Sequence, residues 1–398
     1  MIPKIDSEIG ISAYTTKFPG CGGAIKKQND DFVVSEVITE KAHSRICSDS
    51  GYAVYKLKKN GIDTTHALGK IFKKHGLRLK ALGLKDASAV TEQFVFTTNK
   101  MKHDFEINEP RYSLKKIGFT DKPLSKKEMV GNHFQIKIDN ASDTASQFEE
   151  HDRILNFYGY QRFGSTRPIS HLIGKSLLQK NYLNTIQILL SFTSEYDKPE
   201  NTELRKMMSD KSKYHEALKI IPNGMDLEKT VLKEMIESDN PVRAIRALPL
   251  QIRRFFVHAY QSFIFNKTLS ASFENGEEVF SPQEDDVCYD KNGNLGKFEN
   301  DPCQRLSIPF VGYSYYKKTR FHYYIEKILK DEEITSKDFF SKEMQEISNE
   351  GGFRNSSIKC DDYKIKDNVV SFLLSRGSFA TIVLRELMKP QNPLGSGF

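Results

Sequence analysis

Segments 31–37 and 52–57 place β-branched and aromatic side chains in short runs with the two-residue period of a half-buried strand. After Asp63 a three- and four-residue spacing takes over. Ala67, Leu68 and Ile71 share one face of a helix predicted over 64–74, with Asp63 placed to cap it and Gly76 just past its end. Strand character resumes at 80–83, 93–96, 112–114 and 134–138, so the first part of the chain reads as an α+β sheet domain.

From about Ser170 the pattern is helical, over 172–190, 203–220 and 227–236. The segment 252–269 repeats Phe255, Phe256, Ala259, Phe263 and Ile264 at helical intervals and predicts a buried amphipathic helix. Asp, Asn and Gly punctuate 280–297, which reads as short strands or a long loop. Strand pattern returns at 357–360 and 368–374, followed by a turn in which Ser378 is placed to cap a final helix over 379–389. Sheet pattern at both ends with helices between predicts a central insertion, dividing the chain into 1–168, 169–352 and 353–398.

A length of 398 residues agrees with two cores. Hydrophobic content of 38%, charged content of 28% and a mean hydropathy of −0.52 describe a soluble protein without a membrane-crossing window, and the first residues lack a signal-peptide layout, so a cytoplasmic location is expected. Cys21, Cys47, Cys288, Cys303 and Cys360 are scattered and odd in number, which favours free thiols over disulfides or a zinc site. Asp285-Asp286 and Asp361-Asp362 read as solvated turns rather than as the metal-binding acids of an RNA hydrolase.

The net charge of +7 with pI near 8.8 adds a modest attraction to polyanions. Lysine doublets at 26–27, 58–59, 73–74, 115–116 and 126–127 strengthen it if several face one groove; the plainer reading is a solvated surface.

Candidate chemistry centres on Gly83-Leu84-Lys85-Asp86-Ala87-Ser88-Ala89-Val90-Thr91-Glu92-Gln93, which sets one carboxylate among small, polar and basic residues. On its own Asp86 reads first as the cap of a short helical turn. The run, however, resembles the GxKDxxAxTxQ signature of the TruD family of pseudouridine synthases at every fixed position. Four more segments match family motifs in order. Lys26 through Glu36 is similar to K-x(4)-DFxVxE; Gly131-Asn132-His133-Phe134 is similar to GNxF. Asn156-Phe157-Tyr158-Gly159-Tyr160-Gln161-Arg162-Phe163-Gly164 resembles NYFGxQRFG with its two aromatics exchanged, and 377–387 resembles GSFAT-x(3)-REL.

The resemblance implies a pseudouridine-synthase-like mixed sheet as catalytic domain, interrupted by a helix-rich TRUD domain. It implies isomerisation of uridine in tRNA, at position 13 of the D arm, without a cofactor, and no obligate protein partner is evident. The reaction detaches uracil from ribose C1′, turns it and rejoins it through C5. Asp86 matches the catalytic carboxylate, acting as nucleophile or as base. A cation beside it opposes its desolvation, with Lys26 favoured over Lys85. Asn132 and Phe134 suit the edge and face of the base, and Arg162 suits a phosphate or the ordering of the site. Glu36 reads either as the partner of a cation or as a solvent-facing strand residue. A noncatalytic RNA-binding protein or RNA chaperone with the same fold is the alternative.

Overall fold

The computed structural model describes residues 1–47, 50–85, 87–100, 106–150, 153–164 and 167–398, with residues 149 and 150 described in backbone alone. Along the described chain α1 (Lys4–Glu8), β1 (Phe32–Ile38), α2 (Glu40–Ser44), β2 (Tyr52–Asn60), α3 (Thr64–His75), β3 (Leu79–Ala81) and β4 (Val90–Thr97) come first. β5 (Ile107–Glu109), β6 (Tyr112–Thr120), β7 (Met129–Lys137) and β8 (Arg153–Leu155) follow. Helices come next: α4 (Ser170–Leu178), α5 (Tyr182–Ser191), α6 (Pro199–Met207), α7 (Tyr214–Ile220), α8 (Asp226–Ser238), α9 (Pro241–Ala247) and α10 (Leu250–Glu274). After β9 (Val287–Tyr289), β10 (Leu295–Lys297), β11 (Arg305–Phe310) and α11 (His322–Asp331) the chain returns to strands. These are β12 (Gly352–Asn355), β13 (Ser357–Lys359), β14 (Asp361–Lys366) and β15 (Val369–Ser375), with α12 (Ala380–Met388) last.

Two compact units result. Residues 16–154 and 358–397 form a sheet unit; residues 1–15, 155–357 and 398 form a helical unit. Helical texture begins in the sequence near 170, yet 155–168 belong to the helical unit because residues there bond within it: Asn266 on α10 receives the Tyr158 N–H at 2.8 Å and donates to the Tyr158 carbonyl at 3.1 Å.

In the sheet unit the strand order is β14-β15-β7-β1-β4-β2-β6-β5, with β3 on β4. β1 runs parallel to β4 and antiparallel to β7. One face of the sheet packs Tyr55, Leu57, Val95 and Leu114 against Ala67 and Ile71 of α3, while Val54, Phe94 and Phe96 on the other face meet Ala42 of α2. α3 forms where its caps predict: the Asp63 carboxylate accepts the His66 N–H at 3.0 Å, and Gly76 takes φ +68°.

Several expectations are corrected. The pattern 172–190 is two helices, because Lys180 turns left-handed at φ +57° and Asn181 caps α5 through the Asn184 N–H at 3.2 Å. Asp361 opens the edge strand β14, with a register shift before Lys364, rather than sitting in a turn. Asp286 is buried at 4% exposure, 3.1 Å from Arg320 Nε, so it is a structural partner and not solvated. Ser378 does not cap α12, whose N-cap is Phe379. The lysine doublet on β2 divides between faces, since successive strand residues point oppositely: Lys58 is exposed and Lys59 is buried.

Candidate active site

The sheet register assembles one polar patch on the α3 face. Glu36 lies opposite Asn132 across β1 and β7, and Lys59 and Leu57 lie opposite Thr91 and Gln93 across β2 and β4. The parallel pairing of Val34 with Thr91 puts both sets on the same side. Lys85 reaches into this patch. Its ammonium donates to Asn132 Oδ1 at 2.7 Å and to Glu36 Oε1 at 3.2 Å. The other Glu36 oxygen accepts the Phe94 N–H at 3.0 Å.

Both oxygens of Glu36 are therefore engaged, and its side chain has 0% exposure against 8% for Lys85. Burial raises the Glu36 pKa above the usual carboxylate range, while the Lys85 ammonium and the Phe94 N–H act against that rise. This acid positions a cation, and its side chain is closed off from solvent. Asn132 is fixed in orientation by the same ammonium, which donates and never accepts, so the amide oxygen must face it. Its Nδ2 has no partner among the described residues, and the residue is half-buried. An amide donor is thus left over.

Asp86 itself lies outside the described residues. The residue before it is held at every polar atom. Lys85 N–H donates to Thr64 Oγ1 at 2.9 Å, and its carbonyl accepts from Thr64 N at 3.2 Å and from Lys59 Nζ at 3.1 Å. Lys59, at 1% exposure, also donates to the Ile62 carbonyl at 2.8 Å. Gln93 closes the loop, accepting from Thr64 Oγ1 at 2.8 Å and donating to the Gly83 carbonyl at 2.8 Å. A Cβ on Gly83 would stand 3.3 Å from Glu36 Oε1 and 3.4 Å from Lys85 Nζ, so the opening residue of the signature makes room for the ion pair. A Cβ on Gly131 would come within 1.9 Å of the Leu374 carbonyl, so glycine there lets β15 pair beside Asn132.

Of the other expected residues, Lys26 and Phe134 belong to the sheet unit. Lys26, at φ +58°, rests its ammonium 4.9 Å from the Phe32 ring centre. Phe134 is 7% exposed, edge-on to Phe32 at 6.2 Å and tilted on Phe372 at 5.5 Å. That aromatic row continues through Tyr363 and Phe148 to Phe18.

Arg162 belongs to the helical unit. Its guanidinium lies 5.4 Å from the Tyr158 ring and 5.5 Å from Phe255, with Arg354 on Tyr158 at 3.9 Å. Among the described residues Arg162 has no carboxylate partner, and its Nε is buried without a hydrogen bond. Burial lowers its pKa, with Tyr158 opposing, yet guanidinium stays charged. Of the two exchanged aromatics, Phe157 is buried at 0%, and Tyr158 carries its ring to the two arginines. Asn156 bonds on from there, its Oδ1 accepting from Arg354 Nη2 at 2.7 Å.

The sequence reading placed Glu36 only as one of two alternatives and missed Lys59, Thr64 and Arg354. Gln93 and Glu36 stand at fixed motif positions, which is a signal. Lys59 was hidden within a doublet, and Arg354 stands in no motif.

The fold is that of a solved pseudouridine-synthase structure: a crystal structure from Methanosarcina mazei, of a candidate tRNA pseudouridine synthase D, matches with a TM-score of 0.78 at 24% identity, covering 99% of each chain. The family model for tRNA pseudouridine synthase D (TruD) matches residues 8–387. The chain belongs to that family. Curated relatives include the "Probable tRNA pseudouridine synthase D" of Pyrobaculum neutrophilum, 29% identical over 100% of this chain and 99% of that protein. The protein of the same name from Pyrobaculum islandicum is 30% identical over the same shares.

Proposed function

We propose that this protein converts uridine to pseudouridine in tRNA, at position 13 of the D arm, with Asp86 as the carboxylate that meets the ribose at C1′. The observation that carries the reading is the fixing of Lys85: backbone N–H, carbonyl and ammonium are each bonded, on the residue preceding Asp86. A chain held this firmly at the residue before the acid supports a preorganised role for it, as transition-state stabilisation requires. Asp86 either bonds to C1′ as uracil departs or acts as a base toward the sugar, and in both routes uracil rejoins through C5 with no change of redox state.

The cation near this acid is assigned to Lys26, because the Lys85 ammonium is already paired with Glu36. The free amide of Asn132 donates to a uracil carbonyl, which has only lone pairs to offer. Phe134, mostly buried, forms the back wall for the base. Arg162 meets phosphate, and the helix-rich 169–352 is the inserted domain that gives the tRNA further surface. The target base must leave its stack at a cost of a few kcal/mol, which such phosphate contacts offset.

Asp86→Asn tests the assignment, with pseudouridine mapped chemically in an unmodified tRNA transcript. Product is expected to vanish while tRNA affinity stays within about twofold; undiminished product would remove Asp86 from the reaction. Mapping cellular tRNA with and without the protein tests the position, and retention of pseudouridine at 13 in its absence would refute it.

A further inference from the structure

We infer that the α11 surface of the helical unit is an accessory RNA site, which takes a nucleotide of the tRNA other than the reacting one; this rests on the tRNA reading above. α11 buries Ile325, Ile328 and Leu329. Its opposite side presents Tyr323, Glu326, Lys327 and Lys330 at positions i, i+3, i+4 and i+7, and with Tyr315 and Lys317 of the preceding loop these line an open groove of about 670 Å³. None of the residues belongs to a motif of the signature.

The groove combines three features. Tyr323 is 70% exposed, and its ring stands edge-on to Tyr324 at 5.5 Å. Tyr324 is itself anchored, its hydroxyl donating to Glu277 Oε1 at 3.1 Å, so the exposed ring has a fixed backing. Lys317, Lys327 and Lys330 make no ion pair among the described residues. Lys327 and Lys330 sit three apart on the helix, a spacing at which like charges repel. The one acid in the groove, Glu326, lies 3.2 Å from His322 Nε2 and so is turned toward that ring.

An exposed aromatic face beside three uncompensated ammonium groups suits a ligand with a planar base and a phosphate. By contrast Arg320, just before the helix, is held by Asp286 and Glu277 and is not available. Nucleic acids carry both groups in one repeat, and with tRNA as the proposed substrate an unpaired or loop nucleotide of that RNA is the occupant, its base on Tyr323 and its phosphate between Lys317, Lys327 and Lys330.

The test measures the affinity of the full chain for an unmodified tRNA transcript at several KCl concentrations, with pseudouridine formation followed in parallel. Lys327→Glu with Lys330→Glu is expected to weaken binding at least about tenfold and to lower the log-log salt slope by roughly 0.7–0.9 per lysine. Tyr323→Ala is expected to weaken binding about fivefold with an unchanged slope. In both, turnover at saturating tRNA stays within about twofold and the melting temperature is kept. Affinity and slope equal to the parent in both variants overturn the site. If the parent binds tRNA but forms no pseudouridine, the proposed activity fails while the groove is judged by the same affinities.

Discussion

Two buried cations, one in each unit, are held in opposite ways. In the sheet unit Lys85 meets a carboxylate and an amide oxygen, and Lys59 donates to two carbonyls. In the helical unit Arg162 rests between the rings of Tyr158 and Phe255 with no carboxylate among the described residues. An ammonium neutralised by Glu36 serves as a strut, whereas a guanidinium lying on aromatic faces keeps its charge for an incoming anion. On the proposed reading, positioning and binding are separated by the kind of partner each cation has.

The contrast is broken most severely at Lys85. Lys85→Met leaves the buried Glu36 carboxylate unpaired and is expected to cost about 3–5 kcal/mol of stability by denaturant titration, most of it regained when Glu36→Gln is added. No regain would mean that the pair is not what links them. His171 gives the second largest effect, within the helical unit. It is stacked on Phe263 at 4.9 Å and edge-on to Phe163 at 5.4 Å, and burial pulls its pKa from 6.5 down to about 4. Below pH 6.5 the unfolded chain takes up a proton that the folded chain refuses, so stability falls as pH drops from 6.5 toward 4. The loss reaches about 3 kcal/mol. His171→Phe should flatten that part of the curve relative to the parent; identical curves would show that another group is responsible.

A smaller effect is expected where the strut orients a donor. Asn132→Asp replaces the free amide with an oxygen and should lower kcat/KM about thirtyfold, close to 2 kcal/mol, with less change in stability than Lys85→Met. Full activity in that variant would mean that Asn132 does not touch the base. Arg162→Gln gives the mildest change, a weakening of tRNA binding by about fivefold with a salt slope lower by roughly 0.7–0.9. An unaltered slope would make Arg162 an organiser of its loop, on the model of the struts.

Local signals made much of this fold legible. Alternation located β1, β2 and β7, and Asp63 with Gly76 bounded α3, because strand faces and helix caps are written in nearby residues. The family was legible because its motifs are spread over most of the chain. What could not be read depends on distant partners. β14 carries Asp361, Asp362 and Lys364 because an edge strand tolerates charge, so its composition imitates a turn. Lys59 is buried only because the carbonyls of Ile62 and Lys85 come to meet it. Arg354 gains its place from Tyr158 and Asn156, nearly two hundred residues earlier in the chain.

The pairing of β7 with β15 has a bearing on synthesis. Val369 to Ser375 dock along Gly131 to Lys137, yet the ribosome makes residues 155–357 between the two strands. At ordinary elongation rates of about 5–20 residues per second, β7 waits on the order of tens of seconds for its neighbour. Through that interval the nascent sheet has an open edge at the very strand that bears Asn132, and this is where a chaperone would be needed most.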